Sequence, residues 1–197
     1  LYYYMYDERR LLQMSLAEPV TSVTCREGIA YALTDNGKVY RVNIRQRNAL
    51  LLSAYPAQAK AKNIRIFQDI QGNVWIYDLY VHGLYRLPLG NDFDKAQRTK
   101  GNLRTLLEKV SNENVSALAE DRLGNLWIGT NSSGIIIRQT NGSTTRITRN
   151  DKELYPLTSN HIYSILIDDD NMAWIGTSKV GVAYTNLTNT CIAVIPT

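Results

Sequence analysis

The chain has 197 residues, of which 44% are hydrophobic and 20% are charged, and its net charge is +4. This composition indicates a globular domain with a sizeable core and argues against a disordered chain. The basic residues are scattered along the sequence, so we expect no nucleic-acid interface. No apolar run reaches the roughly 18 residues of a membrane span, and the start at Leu1 rather than Met predicts a mature or excised segment.

The first predicted element is a hairpin at residues 1–18. Leu1 to Tyr6 and Leu11 to Leu16 are predicted strands, and a polar turn at Asp7 to Arg10 joins them. The hairpin is typical of the two outer strands of a small sheet whose inner strands are missing.

A repeated segment then occurs four times. The copies are NVSALAEDRLGNLWIGTNSSG at 114–134, HIYSILIDDDNMAWIGTSKVG at 161–181, NIRIFQDIQGNVWIYDLYVHG at 63–83 and the degenerate TSVTCREGIAYALTDNG at 21–37. Trp75, Trp127 and Trp174 occupy one slot, about 50 residues apart, which is a period typical of propeller blades.

Each copy predicts four antiparallel strands. In the third copy along the chain, these are Val115 to Glu120, Leu126 to Thr130, Ile135 to Gln139 and Ser143 to Thr148, separated by turns rich in Asp, Asn and Gly. The second and third strands are apolar on both faces, whereas the fourth alternates, which favours a radial stack of small sheets.

The sequence therefore predicts an all-β fold of propeller blades with four antiparallel strands each. About four blades are expected, at 19–58, 59–112, 113–157 and 158–197, after the outer hairpin at 1–18. The last blade is complete in this count and nothing fills out the hairpin, so we expect an incomplete propeller, seven-bladed when whole.

The pattern N-x-V-x-S-I-x-E-D-x-x-G-N-L-W-I-G-T-x-x-x-G-L resembles the regulator-propeller repeat in the periplasmic sensor domain of Bacteroidetes-type hybrid two-component systems. Residues 114–134 match it nearly in full, and Pro156 to Asn160 is similar to the linker before such a repeat. The resemblance covers roughly three quarters of the chain and is strongest in the third and fourth copies.

The resemblance implies a periplasmic, ligand-sensing input domain without cofactors. The parent protein would be a hybrid sensor histidine kinase and response regulator, anchored in the inner membrane by a transmembrane helix outside this chain and homodimeric. Its ligand would be a glycan-derived oligosaccharide. A protein interaction or dimerisation scaffold without a small-molecule ligand is the alternative. We expect no enzyme, because Glu120 and Asp121 belong to the repeat itself and no unique carboxylate pair stands out.

The tryptophan slot is interpreted as structural. Trp75, Trp127 and Trp174 recur in a strand buried on both faces, so we expect anchors between adjacent blades rather than platforms for sugars. Gly129 and Gly176 follow two residues later, where a missing side chain would let the neighbouring sheet approach closely.

No metal site is predicted. The acidic run from Asp168 to Asn171 falls in a turn slot and lacks the spacing of a calcium loop. Cys25 and Cys191 match no metal spacing and have apolar or strand-forming neighbours, so buried thiols are expected, with a disulfide bridge between them as the lesser alternative.

The second copy departs from the pattern and supplies the candidate ligand site. Its loop between Trp75 and Gly83 is one residue longer than in the other copies. Aromatic rings with a carboxylate and an imidazole in one loop suit sugar stacking and hydroxyl hydrogen bonds. The selected residues are Tyr77, Asp78, Tyr80, His82 and, near the same rim, His161. A blade or dimer contact, or simple drift, stays open. The polar loop from Gly90 to Gly101 is expected to cross the surface.

Overall fold

Every regular element in the described part of the chain is a β-strand. The computed structural model describes residues 1–5, 7–26, 28–55, 63–81, 83–90, 107–149, 157–178, 181–187 and 192–195. The strands are β1 (Tyr2–Met5), β2 (Arg10–Gln13), β3 (Val20–Arg26), β4 (Ile29–Thr34), β5 (Lys38–Asn43), β6 (Asn48–Ala54), β7 (Ile64–Gln68), β8 (Val74–Asp78), β9 (Leu84–Leu87), β10 (Glu108–Ser111), β11 (Val115–Glu120), β12 (Leu126–Thr130), β13 (Ile135–Arg138), β14 (Thr144–Ile147), β15 (Ile162–Ile167), β16 (Met172–Thr177), β17 (Gly181–Asn186) and β18 (Ile192–Ile195). None of these stretches contains a helix of the length and hydrophobicity that a membrane-spanning segment requires.

The strands form one two-stranded sheet and four four-stranded sheets. β1 pairs with β2, and the four larger sheets contain β3 to β6, β7 to β10, β11 to β14 and β15 to β18, each strand beside its neighbour in sequence. The pairings are antiparallel. The predicted all-β class, the terminal hairpin and the four strands per sheet are confirmed, whereas the blade boundaries stay predictions.

The third copy shows how closely the predicted strands agree with the observed ones. β11 and β12 have the predicted bounds, while β13 ends one residue earlier than expected and β14 is shorter at both ends. Every residue of β12 is buried, and three of the four in β14 are exposed. An inner strand enclosed on both faces and an outer strand facing water are what a radial stack of sheets requires.

The first of two compact units contains Leu1–Gln68, Gly72–Asp78 and Tyr85–Val110. Its main apolar cluster joins the β3 to β6 sheet to β7 and β8, with Leu33 and Ile64 among its fully buried members. A smaller cluster joins the hairpin to the same sheet.

The second compact unit contains Asp69–Gln71, Leu79–Leu84 and Ser111–Thr197. β11 lies beside β15. One apolar cluster joins Trp127 and Ile135 of one sheet to Ile162 and Ile175 of the next. The first strands of two successive sheets are therefore packed together through a shared core.

One carboxylate holds the turn between β11 and β12. Asp121 Oδ1 accepts hydrogen bonds from the backbone N–H groups of Leu123 and Asn125, both at 2.9 Å. Gly124 has a φ of +77°, which glycine adopts without steric cost. In the last copy Asn171 takes this position with a φ of +60°, and asparagine is one of the few other residues that tolerate it. The same turn therefore forms with asparagine in place of glycine.

The two glycines that follow the tryptophans differ in what they approach. A Cβ atom on Gly129 would lie 2.8 Å from Ile162 Cγ2, so here the neighbouring sheet does come close. A Cβ on Gly176 would instead meet Oγ of Ser164, its partner across the same sheet. Serine stands here where the third copy has Ala117 opposite Gly129, and the close approach of a neighbouring sheet at Gly176 stays a prediction.

The prediction for Cys25 was wrong. This thiol is exposed and free, because it lies on the outer face of β3, where exposed and half-buried side chains alternate. Cys191 and most of the loop from Gly90 to Gly101 lie outside the described residues.

We expect Gly129→Ala to lower the free energy of unfolding by about 1–3 kcal/mol, the usual cost of overpacking. Urea unfolding followed by tryptophan fluorescence measures this change. Ile162→Ala removes the atom that the new methyl group meets, so the double variant is expected to be less destabilised than the sum of the two single variants. Strict additivity would contradict the close approach as the cause.

Candidate functional site

The indole groups of the repeat are engaged within the protein. Trp127 Nε1 donates to Asp121 Oδ2 at 3.1 Å, and Trp174 Nε1 donates to Asp168 Oδ2 at 2.7 Å. In the first unit, the guanidinium of Arg86 lies 5.9 Å from the centre of the Trp75 ring. Trp75 and Trp127 are buried, whereas Trp174 is half-buried and its ring centre lies 5.4 Å from that of Tyr184.

The acidic run that begins at Asp168 is a turn of the same kind. Asp168 Oδ1 accepts from the backbone N–H groups of Asp170 and Met172 at 3.0 and 2.9 Å. The hydrogen bond from the Trp174 indole, followed by the bond from Met172, lowers the pKa of the Asp168 carboxyl below its usual value. Both carboxylate oxygens are therefore occupied by donors of the protein itself.

Two of the predicted ligand-binding residues are buried and lie at the end of a strand. Tyr77 and Asp78 end β8, and only 9% and 6% of their surfaces are exposed. Burial raises the pKa of the Tyr77 hydroxyl. The prediction that they belong to a loop was wrong, because β8 continues to Asp78, which pairs with Ile64 of β7.

Tyr80 is the predicted residue that faces solvent. It lies in the second unit, with 74% of its surface exposed, and Val81 beside it is also exposed. Tyr77 and Asp78 lie in the first unit, so the predicted set is divided between the two units. His82 lies outside the described residues.

His161 lies one residue before β15 and is part of an aromatic pair. Its ring centre is 4.9 Å from that of Tyr163, with the planes inclined at 56°. Tyr163 is 60% exposed, and its hydroxyl accepts a hydrogen bond from Ser178 Oγ at 3.4 Å. The backbone of His161 is fixed as well, because its N–H donates to Ser159 Oγ and its carbonyl accepts from Ser178 N–H.

One turn of the second unit connects the segments that carry these residues. Asn131 donates its backbone N–H to Asn114 O at 2.9 Å and its side-chain amide to Leu79 O at 3.4 Å. Three residues later Gly134 N–H donates to Asn160 O at 3.0 Å. The turn from Asn131 to Gly134 therefore forms hydrogen bonds with three segments. They are the residues just before β11, the residues just before β15 and the segment that exposes Tyr80.

We call this surface the rim of the second unit and define it by Tyr80, Asn114, Asn131, His161, Tyr163 and Ser178. It offers aromatic faces together with amide, imidazole and hydroxyl groups, which donate and accept hydrogen bonds and carry no charge when the imidazole is neutral. The ion pair between Arg146 and Glu113, at 2.7 Å, braces the same turn, because Arg146 also donates to Ser133 O. The rim is therefore suited to a neutral, hydroxyl-rich ligand.

Tyr163, which sequence reasoning missed, lies at a β-bulge. The register of β15 against β16 shifts between Ile162 and Ser164, and the register of β11 shifts at the equivalent place, around Ser116. A bulge re-aims the extra side chain and is common next to binding sites. A comparison of the copies holds a signal, since tyrosine stands in the fourth copy where the third has Ser116.

The sheets and the engaged tryptophans define the class of protein: the four-stranded sheets are blades of a β-propeller. Residues 109–132 and 156–179 match the model of the family described as the two-component regulator propeller. These two segments therefore carry repeats of that family, and the resemblance seen in the third and fourth copies is confirmed. Among curated proteins, none matches the chain.

Solved structures share the fold at low sequence identity. Virginiamycin B lyase from Staphylococcus aureus is 13% identical with a TM-score of 0.63, and the match covers 91% of this chain and 56% of the lyase. The extracellular domain of a putative one-component system from B. thetaiotaomicron is 20% identical with a TM-score of 0.63, over 93% of this chain and 24% of that one. The extracellular domain of a putative hybrid two-component system from the same organism is 15% identical with a TM-score of 0.60, over 99% and 26%. The chain thus spans about half of the lyase and about a quarter of the two extracellular domains.

We expect Asp168→Asn to lower the free energy of unfolding at neutral pH. We also expect this free energy to vary less with pH in the acid range. The pKa of Asp168 is lowered in the folded state, so its stabilising effect is complete above the ordinary aspartate pKa of about 3.9 and is lost as the pH falls through the folded value. Urea unfolding at a series of pH values between about 7 and 2 measures the slope over that window.

Asp169→Asn is the matched control, because Asp169 is the next residue of the same turn and is exposed. It is expected to keep the acid-dependent slope of the native chain. An equal loss of slope in both variants would contradict the special position of Asp168.

Proposed function

We propose that this chain is part of the ligand-sensing input domain of a two-component sensor and that it binds a neutral, glycan-derived oligosaccharide at the rim of the second unit. The observation that carries the proposal is the pair of exposed tyrosines, Tyr80 and Tyr163, on segments that meet one turn lined by asparagines. In this proposal the domain lies in the periplasm, and a kinase outside the chain receives the signal.

Carbohydrates favour this combination of groups. A pyranose ring presents C–H groups on one face, which pack against an aromatic ring, while its hydroxyls need amide, imidazole and hydroxyl partners. Tyr163 offers a ring held by two neighbours, His161 and Ser178, so little side-chain entropy is lost when a ligand binds. Asn131 is held through both its backbone and its side chain.

The family repeats support the sensing role. The matched repeats are described as a two-component regulator propeller, and two structures of the same fold are extracellular domains of putative one-component and hybrid two-component systems. We extend the proposal to the parent protein: a histidine kinase and response regulator, anchored in the inner membrane and acting as a homodimer.

An enzyme of the lyase kind is a weaker candidate, although virginiamycin B lyase has the same fold. Glu120 accepts hydrogen bonds from Ile70 N–H, at 2.9 Å to Oε1 and 2.8 Å to Oε2. Asp121 is engaged by its turn and by Trp127. These two carboxylates of the repeat therefore stabilise the protein's own backbone and turns, rather than being presented to a substrate as a general acid or base.

Titration calorimetry of the purified chain with a panel of neutral oligosaccharides tests the proposal. We expect one glycan fragment to bind, and Tyr163→Ala and Tyr80→Ala each to weaken it about tenfold through the lost stacking surface. Tyr2→Ala is the matched control, because Tyr2 is exposed to a similar extent, 63%, and lies in the first unit.

The outcomes separate the alternatives. If no oligosaccharide binds, the sensing proposal is wrong, and a stable dimer without ligand would then favour the interaction scaffold. If a fragment binds and neither rim variant weakens it, the rim is the wrong site. Release of shortened glycan products by the purified chain would establish an enzyme instead.

A further inference from the structure

The last sheet, β15 to β18, is buried on one face only. In β8 and β12, the second strands of the two sheets before it, every residue is buried. In β16, the second strand of the last sheet, buried residues alternate with half-buried ones. Leu166, Val182 and Ile195 of this sheet have 62%, 39% and 51% of their surfaces exposed. One face of the sheet therefore lies open within the described part of the chain.

The strand register shows that the exposed side chains share this face. Leu166 pairs with Trp174, which pairs with Tyr184 on the next strand. Val182 pairs with Ile195 one row further along. Directly paired residues lie on the same face of a sheet, and so do residues two positions apart in a strand. We call this surface the open face and define it by Ser164, Leu166, Trp174, Val182, Tyr184 and Ile195.

The open face belongs to a sheet without charged residues. No residue of β15, β16, β17 or β18 is acidic or basic. The outer strands of the two preceding sheets differ, because β10 contains Glu108 and Lys109 and β14 contains Arg146. Strand surfaces that meet water are commonly protected by charged side chains, and a contiguous uncharged apolar surface is typical of an interface.

The equivalent face of the preceding sheet shows what covers such a surface. β12 and β16 are the second strands of successive sheets, and each carries tryptophan followed two residues later by glycine. A Cβ atom on Gly129 of β12 would lie 2.8 Å from Ile162 Cγ2 and 3.2 Å from Ile165 Cδ1. Trp127 and Ile162 also share one apolar cluster. The matching occupant is therefore a sheet whose first strand carries branched aliphatic side chains.

A hydroxyl on the open face has the place of one that binds a neighbouring sheet. In the first unit, Ser22 follows the bulge of β3, and its Oγ accepts a hydrogen bond from Ile66 N–H of the next sheet at 3.2 Å. Ser164 follows the bulge of β15 in the same way and is exposed, whereas the third copy has Ala117 at this place. Ser164 can therefore accept a hydrogen bond from the backbone of a strand that lies against it.

We propose that the open face docks a further four-stranded sheet of the same repeat, carried by the same polypeptide as part of a longer propeller. Its first strand packs against β15, with aliphatic side chains over Leu166 and Trp174 and a backbone N–H that donates to Ser164 Oγ. Solved structures of this fold extend beyond the matched part, which covers 56% of virginiamycin B lyase. The interface stands independently of the proposed oligosaccharide site, because none of its residues belongs to the rim.

Thiol labelling of Leu166→Cys tests the proposal in the native chain and in a chain extended after Thr197 by a second copy of residues 158–197. We expect the thiol at position 166 to react at least about tenfold more slowly in the extended chain, because burial restricts the reagent. Leu123→Cys is the matched control, since Leu123 is 80% exposed in a turn of the third copy, and its rate is expected to be equal in both chains. Mass spectrometry of proteolytic peptides separates these sites from Cys25.

Leu166→Lys gives a second measurement that does not depend on reagent access. It is expected to leave the urea midpoint of the native chain unchanged, because position 166 is exposed there, and to lower the midpoint of the extended chain, where the charge is buried. Leu123→Lys is expected to lower neither midpoint.

The outcomes are distinct. An unchanged labelling rate at position 166, an equal slowing at position 123, or an unchanged midpoint of the extended chain with Leu166→Lys would each overturn the proposal. A stable dimer of the native chain in sedimentation velocity that Leu166→Lys abolishes would overturn it as well, because a second copy would then cover the open face. Failure of oligosaccharide binding at the rim would leave these results unaffected.

Discussion

The structure depends on a carboxylate that closes the first turn of the repeat and positions the tryptophan. Asp121 accepts from Leu123 and Asn125 through Oδ1, and from the Asn125 amide and the Trp127 indole through Oδ2. One side chain thus fixes the turn and the orientation of a ring that belongs to the core shared with β15 and β16. Without it a buried indole N–H would lose its partner, at a cost of about 1–3 kcal/mol.

This constraint explains where ligand chemistry can and cannot occur. The turn carboxylates Asp121 and Asp168 are engaged in their turns, and the rings of Trp75 and Trp127 are buried. The candidate ligand residues lie where the copies differ. Tyr163 stands at the bulge where the third copy has Ser116, and Tyr80 lies in the lengthened loop of the second copy.

The sequence predicted the strands well because their signal is local. The bounds of β11 and β12 follow from apolar runs between turn residues, and the exposure of β14 follows from its alternation. The site was predicted less well. Tyr77 and Asp78 were placed in a loop because no glycine or proline in this stretch shows where the strand ends.

Bulges and strand faces account for the remaining differences. Tyr163 lies at a register shift, which is a property of two paired strands and is not visible in either one. Cys25 has strand-forming neighbours but lies on the outward face of β3. The atoms nearest Gly176 belong to Ser164 of its own sheet, whereas the residue paired with Gly129 is Ala117, which has no hydroxyl. Each of these features requires knowledge of pairing, which periodicity alone does not supply.

The consecutive strand order within every sheet has a consequence for how such a chain changes over generations. Each four-stranded sheet is a continuous piece of sequence, so a gene segment encoding one sheet can be copied or lost without rerouting the chain elsewhere. After duplication, one copy can keep the turn carboxylate and the indole while another changes the residues at the ends of its strands. The exposed surface can therefore diverge one sheet at a time, with the internal scaffold of the sheets unchanged.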